Sequence, residues 1–140
     1  MLDYYRLIFI RALGRLTIFI SRVRALLEAD IKKIVALSTL SQLGLIILGL
    51  GINSRVISFF HLIAHAFFKA LLFICAGILI HSCNDYQDLR IFGKMNFSLP
   101  YLKSISIICK IRLCGIPFFS AFYSKEIVLE RMFSFSYSNL

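Results

Sequence analysis

Between His61 and Phe73 the chain reads HLIAHAFFKALLF, and three groups able to carry a proton, His61, His65 and Lys69, recur at every fourth residue of an otherwise apolar run. On a helix each would stand about 40° round and about 6 Å beyond the last, one polar stripe on an apolar rod. Ionisable side chains inside a membrane helix cost a few kcal/mol each and by default mark the path of an ion or substrate. Histidine suits proton transfer because its unperturbed pKa lies near about 6.5, and lysine suits it when burial draws its pKa toward neutrality. A single buried histidine would be read as a satisfied structural hydrogen bond. Three at this spacing predict part of a proton wire. A zinc pair at His61 and His65 is the competing reading, but neither an HExxH glutamate nor a third ligand accompanies them.

Two other ionisable groups lie beside apolar segments. Lys125 and Glu126 follow GIPFFSAFYS, just past Gly115 and Pro117, where a helix should break and its freed carbonyls and water can reach a charge. The alternative is a lysine that snorkels to the interface. Asp30 and Lys32, with Lys33, abut the most apolar span in EADIKK, and read on composition as an interfacial cluster that orients the helix.

The elements that must carry these groups are helices in lipid. With 140 residues, 59% hydrophobic and 16% charged, the chain amounts to one domain whose apolar runs are too long for a soluble core. Ile34 to Ile52 has no charged residue, and its Ser38, Thr39, Ser41, Gln42 and Gly44 suit close packing inside a bundle. After a turn at GINSR, Val56 to Ile80 forms a second span and holds the ladder; His81 to Asn96 reads as an extramembrane loop. Phe97 to Tyr123 is a third apolar region, kinked or broken at Gly115 and Pro117, while Tyr5 to Leu27 is apolar but contains five arginines and makes a poor span. The expected fold is all-α, a polytopic transmembrane bundle fragment of three to four spans, with residues 1–130 a partial transmembrane domain and 131–140 a truncated tail. No signal peptide is visible at the start, where charge is mixed into the apolar run.

The net charge of +9 does not point to nucleic acid, because the basic residues neither cluster in an arm nor alternate with exposed aromatics. Cys75, Cys83, Cys109 and Cys114 form no CxxC pair and lie mostly within spans, which speaks against disulfides, zinc and iron–sulfur ligation; no GxGxxG offers a dinucleotide site.

Four stretches, ADIKKIVALSTLSQLGLIILGLG, FFHLIAHAFFKALLFICAGILIH, QDLRIFGKM and CGIPFFSAFYSKEIVLE, together resemble the antiporter-like core subunits of respiratory complex I, the chain 5 family above all. The resemblance runs from Leu16 to Glu130. It implies a multi-pass subunit of the mitochondrial inner membrane, set among other membrane-arm subunits and lipid, that moves protons and holds no cofactor. NADH, FMN, iron–sulfur clusters and ubiquinone would belong to partner subunits. By the same resemblance His61, His65 and Lys69 match a central proton path, Lys125 matches a lysine on a discontinuous helix at a half-channel exit, and Asp30 and Lys32 are implicated more loosely.

Departures from the family's pattern leave other readings open. The family's preceding half is absent, and AFYSKE stands where GFYSKD is usual, with Glu126 keeping the carboxylate. Arg15, Arg22, Arg24, Arg55 and Arg112 occupy positions where the family tends to carry serine, glycine or alanine. A sodium/proton antiporter subunit and an inactive membrane fragment, truncated or translated with the wrong genetic code, are the alternatives. In the last case several of these arginines are serines in the native protein.

Overall fold

Residues that alternate little and avoid proline over long stretches have one way to satisfy their backbone in lipid, which is to coil. The computed structural model describes residues 2–90 and 100–137, and the side chains of residues 5–90, 100–119 and 122–134. It has five helices, α1 (Leu2–Leu27), α2 (Ile31–Gly51), α3 (Arg55–Ser82), α4 (Pro100–Cys114) and α5 (Ser120–Tyr137). Among the described residues the one extended pairing is an isolated antiparallel bridge between Asp30 and Asp88. It ties the start of α2 to the chain leaving α3, through Ile31 N–H to Gln87 O at 3.1 Å and Leu89 N–H to Ala29 O at 3.1 Å.

Small residues set the helix pairs. A Cβ on Gly14 of α1 would stand 2.9 Å from Leu48 Cγ and 3.0 Å from Gly44 O, and one on Gly44 of α2 would stand 2.6 Å from Thr17 Oγ1. The two helices therefore cross antiparallel with backbones nearly touching, the packing expected where lipid removes the hydrophobic drive between helices. Helix α2 turns into α3 through Asn53, at φ 64°, and Ser54, whose hydroxyl donates to Gly49 O at 2.7 Å. Helices α4 and α5 then pack on α3.

The distribution of polarity is inverted relative to a soluble domain. The largest fully buried side chains are His61, Val128, Ser21, Ser58 and Ser124, four of the five polar, whereas Phe59, Phe67 and Ile74 of α3 are 63%, 69% and 59% exposed. Apolar groups outside and hydrogen-bonding groups inside suit a hydrocarbon solvent. Helices α2 and α3 are long and apolar enough to cross a membrane. The chain is a membrane protein.

The elements differ in detail from the sequence reading. Helix α3 runs to Ser82, past the expected end at Ile80, because Asn84 and Asp85 supply the positive φ values, 53° and 65°, that let the chain turn off. Residues 91–96 of the expected loop, 97–99 of the third apolar region and 138–140 of the tail lie outside the described residues. The arginine-bearing first segment coils throughout and is longer than α2, yet it falls short of the apolarity that α2 and α3 reach.

Candidate functional site

The buried face of α3 is made by Ser58, His61, His65, Lys69, Leu72, Cys75, Ala76 and Ile80, a three-and-four spacing that winds one stripe along the helix. The ladder lies on this stripe, and His61, His65 and Lys69 are 2%, 8% and 6% exposed. The sequence reading placed these three on one face, and the structure brings them together there.

The first and last rungs are held by side chains and carbonyls of other helices, His61 by α2 and α5 and Lys69 by α2. Gln42 Oε1 of α2, an acceptor, lies 3.2 Å from His61 Nε2, and Ser124 Oγ of α5 lies 2.8 Å from His61 Nδ1. With Nε2–H donating to Gln42, neutral His61 takes a hydrogen bond from the Ser124 hydroxyl at Nδ1. His65 stacks one turn further on, its ring 6.2 Å from that of His61 and inclined by 27°. Its Nε2 is buried with no hydrogen-bond partner among the described residues. A buried polar atom in that state costs on the order of 1–3 kcal/mol. Lys69 donates to Ser38 Oγ and to Val35 O at 3.4 Å, while Ser38 itself donates to Val35 O at 2.8 Å. Of the small polar residues of α2, Ser38 and Gln42 thus meet the ladder, while Thr39 bonds its own backbone and Gly44 packs on α1.

Lys125 sits at the helix break. Helix α4 ends at Cys114, Gly115 adopts φ 80° and Phe118 φ 77°, and α5 begins at Ser120. The break leaves carbonyls without helical partners. Lys125 Nζ donates to one of them, Leu113 O, at 2.5 Å, and passes so close to Gly115 that a Cβ there would stand 3.7 Å from the amine. Lys125 is not in contact with the ladder by hydrogen bond; its neighbour Ser124 is. A cavity of about 300 Å³ lies beside Lys69, lined by Ser38, Gln42 and Lys69 on one side and Lys110, Leu113 and Cys114 on the other.

The remaining candidates lie apart. Asp30 is the N-cap of α2, at φ −78° and ψ 124°, yet its carboxylate makes no capping bond and instead pairs with Lys33 at 2.7 Å. Lys32 and Glu126 are exposed. Sequence reasoning missed Ser124, although its place directly before Lys125 was a usable signal: adjacent residues on a helix point about 100° apart, so one residue could meet α3 while the next turned to the break.

Residues 3–140 match the family described as NADH:quinone oxidoreductase/Mrp antiporter, transmembrane. The chain is 49% identical over 118 residues to NADH-ubiquinone oxidoreductase chain 5 of Rattus norvegicus, covering 84% of the chain and 19% of that protein. It is 43% identical over 140 residues to the protein of the same name from Anopheles arabiensis, covering 100% of the chain and 36% of that protein. The corresponding figures for Aedes aegypti are 47% over 131 residues, 94% and 22%. The chain therefore spans about a fifth to a third of the length of the curated relatives it matches. With a matched segment that takes in both the His–Lys ladder and the broken helix, the chain belongs to the transmembrane family of the NADH:quinone oxidoreductases and Mrp antiporters.

Proposed function

We propose that the chain is part of a proton-translocating membrane subunit of respiratory NADH:ubiquinone oxidoreductase, the chain 5 subunit, in which His61, His65, Lys69 and Lys125 carry protons. The observation that supports it most is the line of ionisable side chains buried on one face of α3, with His61 and Lys69 hydrogen-bonded to polar groups of other helices. Neutral imidazole can accept a proton at one nitrogen and release it at the other, and an amine held only by a hydroxyl and carbonyls can exist charged or neutral. The cavity lined by Lys69 and by Leu113 and Cys114 offers space between the ladder and the end of α4, whose Leu113 carbonyl accepts from Lys125. Asp30 and Lys32 act, on this reading, through the field they set at the head of α2, and Glu126 by lying next to Lys125 at the exit.

The chain does no redox chemistry of its own. NADH oxidation, FMN, the iron–sulfur clusters and ubiquinone reduction fall to partner subunits, with other membrane-arm subunits as neighbours and the mitochondrial inner membrane as the setting. The names of the relatives favour this over a sodium/proton antiporter.

Lys69→Met in the complete subunit tests the reading, since it keeps length and removes the charge. NADH-driven proton uptake into inner-membrane vesicles should fall several-fold with assembly preserved on native gels. Wild-type uptake would overturn it, and transport that requires sodium would favour the antiporter.

A further inference from the structure

Ser124 is buried to 1% exposure, and its hydroxyl meets His61 Nδ1 at 2.8 Å across a sequence separation of 63 residues. On the other nitrogen of the ring stands Gln42 Oε1, which accepts a hydrogen bond whichever charge His61 bears. The demand at Nδ1 is different. Neutral His61 needs a donor there and protonated His61 needs an acceptor. An alanine would satisfy neither state, a carbonyl only the charged one, a backbone N–H only the neutral one. A hydroxyl satisfies both by rotating about its C–O bond.

We propose that Ser124 is a member of the relay, the switchable partner whose hydrogen bond to His61 Nδ1 keeps the imidazole satisfied in both charge states. This rests on the proton-relay reading above. The same hydrogen bond ties α5 to α3, so the position of Lys125, one residue on, is set by the contact that senses His61.

The pair Ser124→Thr and Ser124→Val separates this role from a structural one, because the two side chains share a shape and differ in the hydroxyl alone. In the complete subunit, assembled in its complex, S124T should retain at least half of wild-type proton uptake, whereas S124V should lose about tenfold with the complex intact on native gels. Ser124→Ala, which creates no crowding, should lose as much as S124V. Equal uptake in S124T and S124V, or wild-type uptake in S124A, would overturn the proposal. His61→Gln measured alongside distinguishes the two levels: if it pumps as wild type the relay reading itself fails, and if it loses pumping while S124V matches S124T, only the role of Ser124 fails.

Discussion

Lys125 Nζ lies 2.5 Å from the carbonyl oxygen of Leu113, twelve residues back along the chain and on the far side of the break between α4 and α5. The lysine supplies a donor to a carbonyl that the broken helix leaves without one, and the negative end of the α4 dipole favours its charge there. Lys125→Met removes the donor and the charge but keeps the length. Proton uptake by the assembled complex should fall about tenfold, equivalent to about 1.4 kcal/mol in the limiting barrier. Lys125→Arg, which keeps donor and charge but stays protonated, should also lose uptake, whereas a purely structural lysine would be rescued by it. Blue-native gels and a vesicle pumping assay give both readings.

His61 and His65, with ring centroids 6.2 Å apart, are successive positions on one stripe. If they serve one wire, breaking it once already stops the flow. The loss in the double variant His61→Ala/His65→Ala, expressed as free energy of the pumping rate, should therefore be clearly less than the sum of the two single losses. Full additivity measured in the same vesicle preparation would mean two independent routes.

Gly14 and Gly44 let α1 and α2 touch, and Gly44 has Thr17 Oγ1 at 2.6 Å and Ile18 Cγ1 at 2.7 Å from where its Cβ would be. Gly44→Val forces the backbones apart, at a cost of about 1–3 kcal/mol by the usual penalty for overpacking. Thermal unfolding of the detergent-solubilised protein should drop accordingly. Gly77 is the control, because a methyl added there would meet nothing within 4 Å among the described residues: Gly77→Ala should leave the melting temperature unchanged or higher.

The ladder was legible because helical period and polarity are both properties of a single segment: four-residue spacing fixed His61, His65 and Lys69 on one face before any neighbour was known. The break at Gly115 and Pro117 was legible for the same local reason. What stood opposite was not. Ser124 meets His61 from 63 residues away, and nothing within FYSKE says that the serine and not the tyrosine turns toward α3. Tyr123 is 53% exposed while Ser124 is buried, an outcome decided by how α5 docks. The first segment was read as a poor span from its arginines, and it is not among the helices apolar enough to cross a membrane; that Gly14 seats it on α2 was not legible, because the residues it meets, Gly44 and Leu48, belong to another helix.

The last prediction concerns the arginines. Arg15, Arg22, Arg24 and Arg55 are exposed, and none has an ion pair or ring contact among the described residues. Arg112 differs: its guanidinium lies 4.5 Å from the centroid of the Phe68 ring and 5.1 Å from that of Phe119. An arginine facing hydrocarbon without a partner would cost a few kcal/mol, and four exposed arginines without a described partner on a membrane bundle call for a cause. Many invertebrate mitochondria read AGA and AGG as serine, where the standard code reads arginine. Translation by the standard code would put arginine at serine sites, turn ATA methionines into isoleucines and halt at TGA tryptophans. The sequence has 3 Met and no Trp, in keeping with that pattern. If Arg15, Arg22, Arg24, Arg55 and Arg112 are all serines, five positive charges are lost and the net charge falls from +9 to +4. Serine in a helix donates to its own backbone, as Ser21 does to Ile18 O at 3.0 Å and Ser41 to Ser38 O at 2.8 Å, so the substitutions would be tolerated in lipid. At position 112 the change would also remove the cation held by Phe68 and Phe119, and with it a contact between α3 and the break. Peptide mass spectrometry of the native protein decides: serine masses at the five positions are expected, and arginine masses, or CGN codons in the gene, would end the idea and leave these charges as features of a diverged chain.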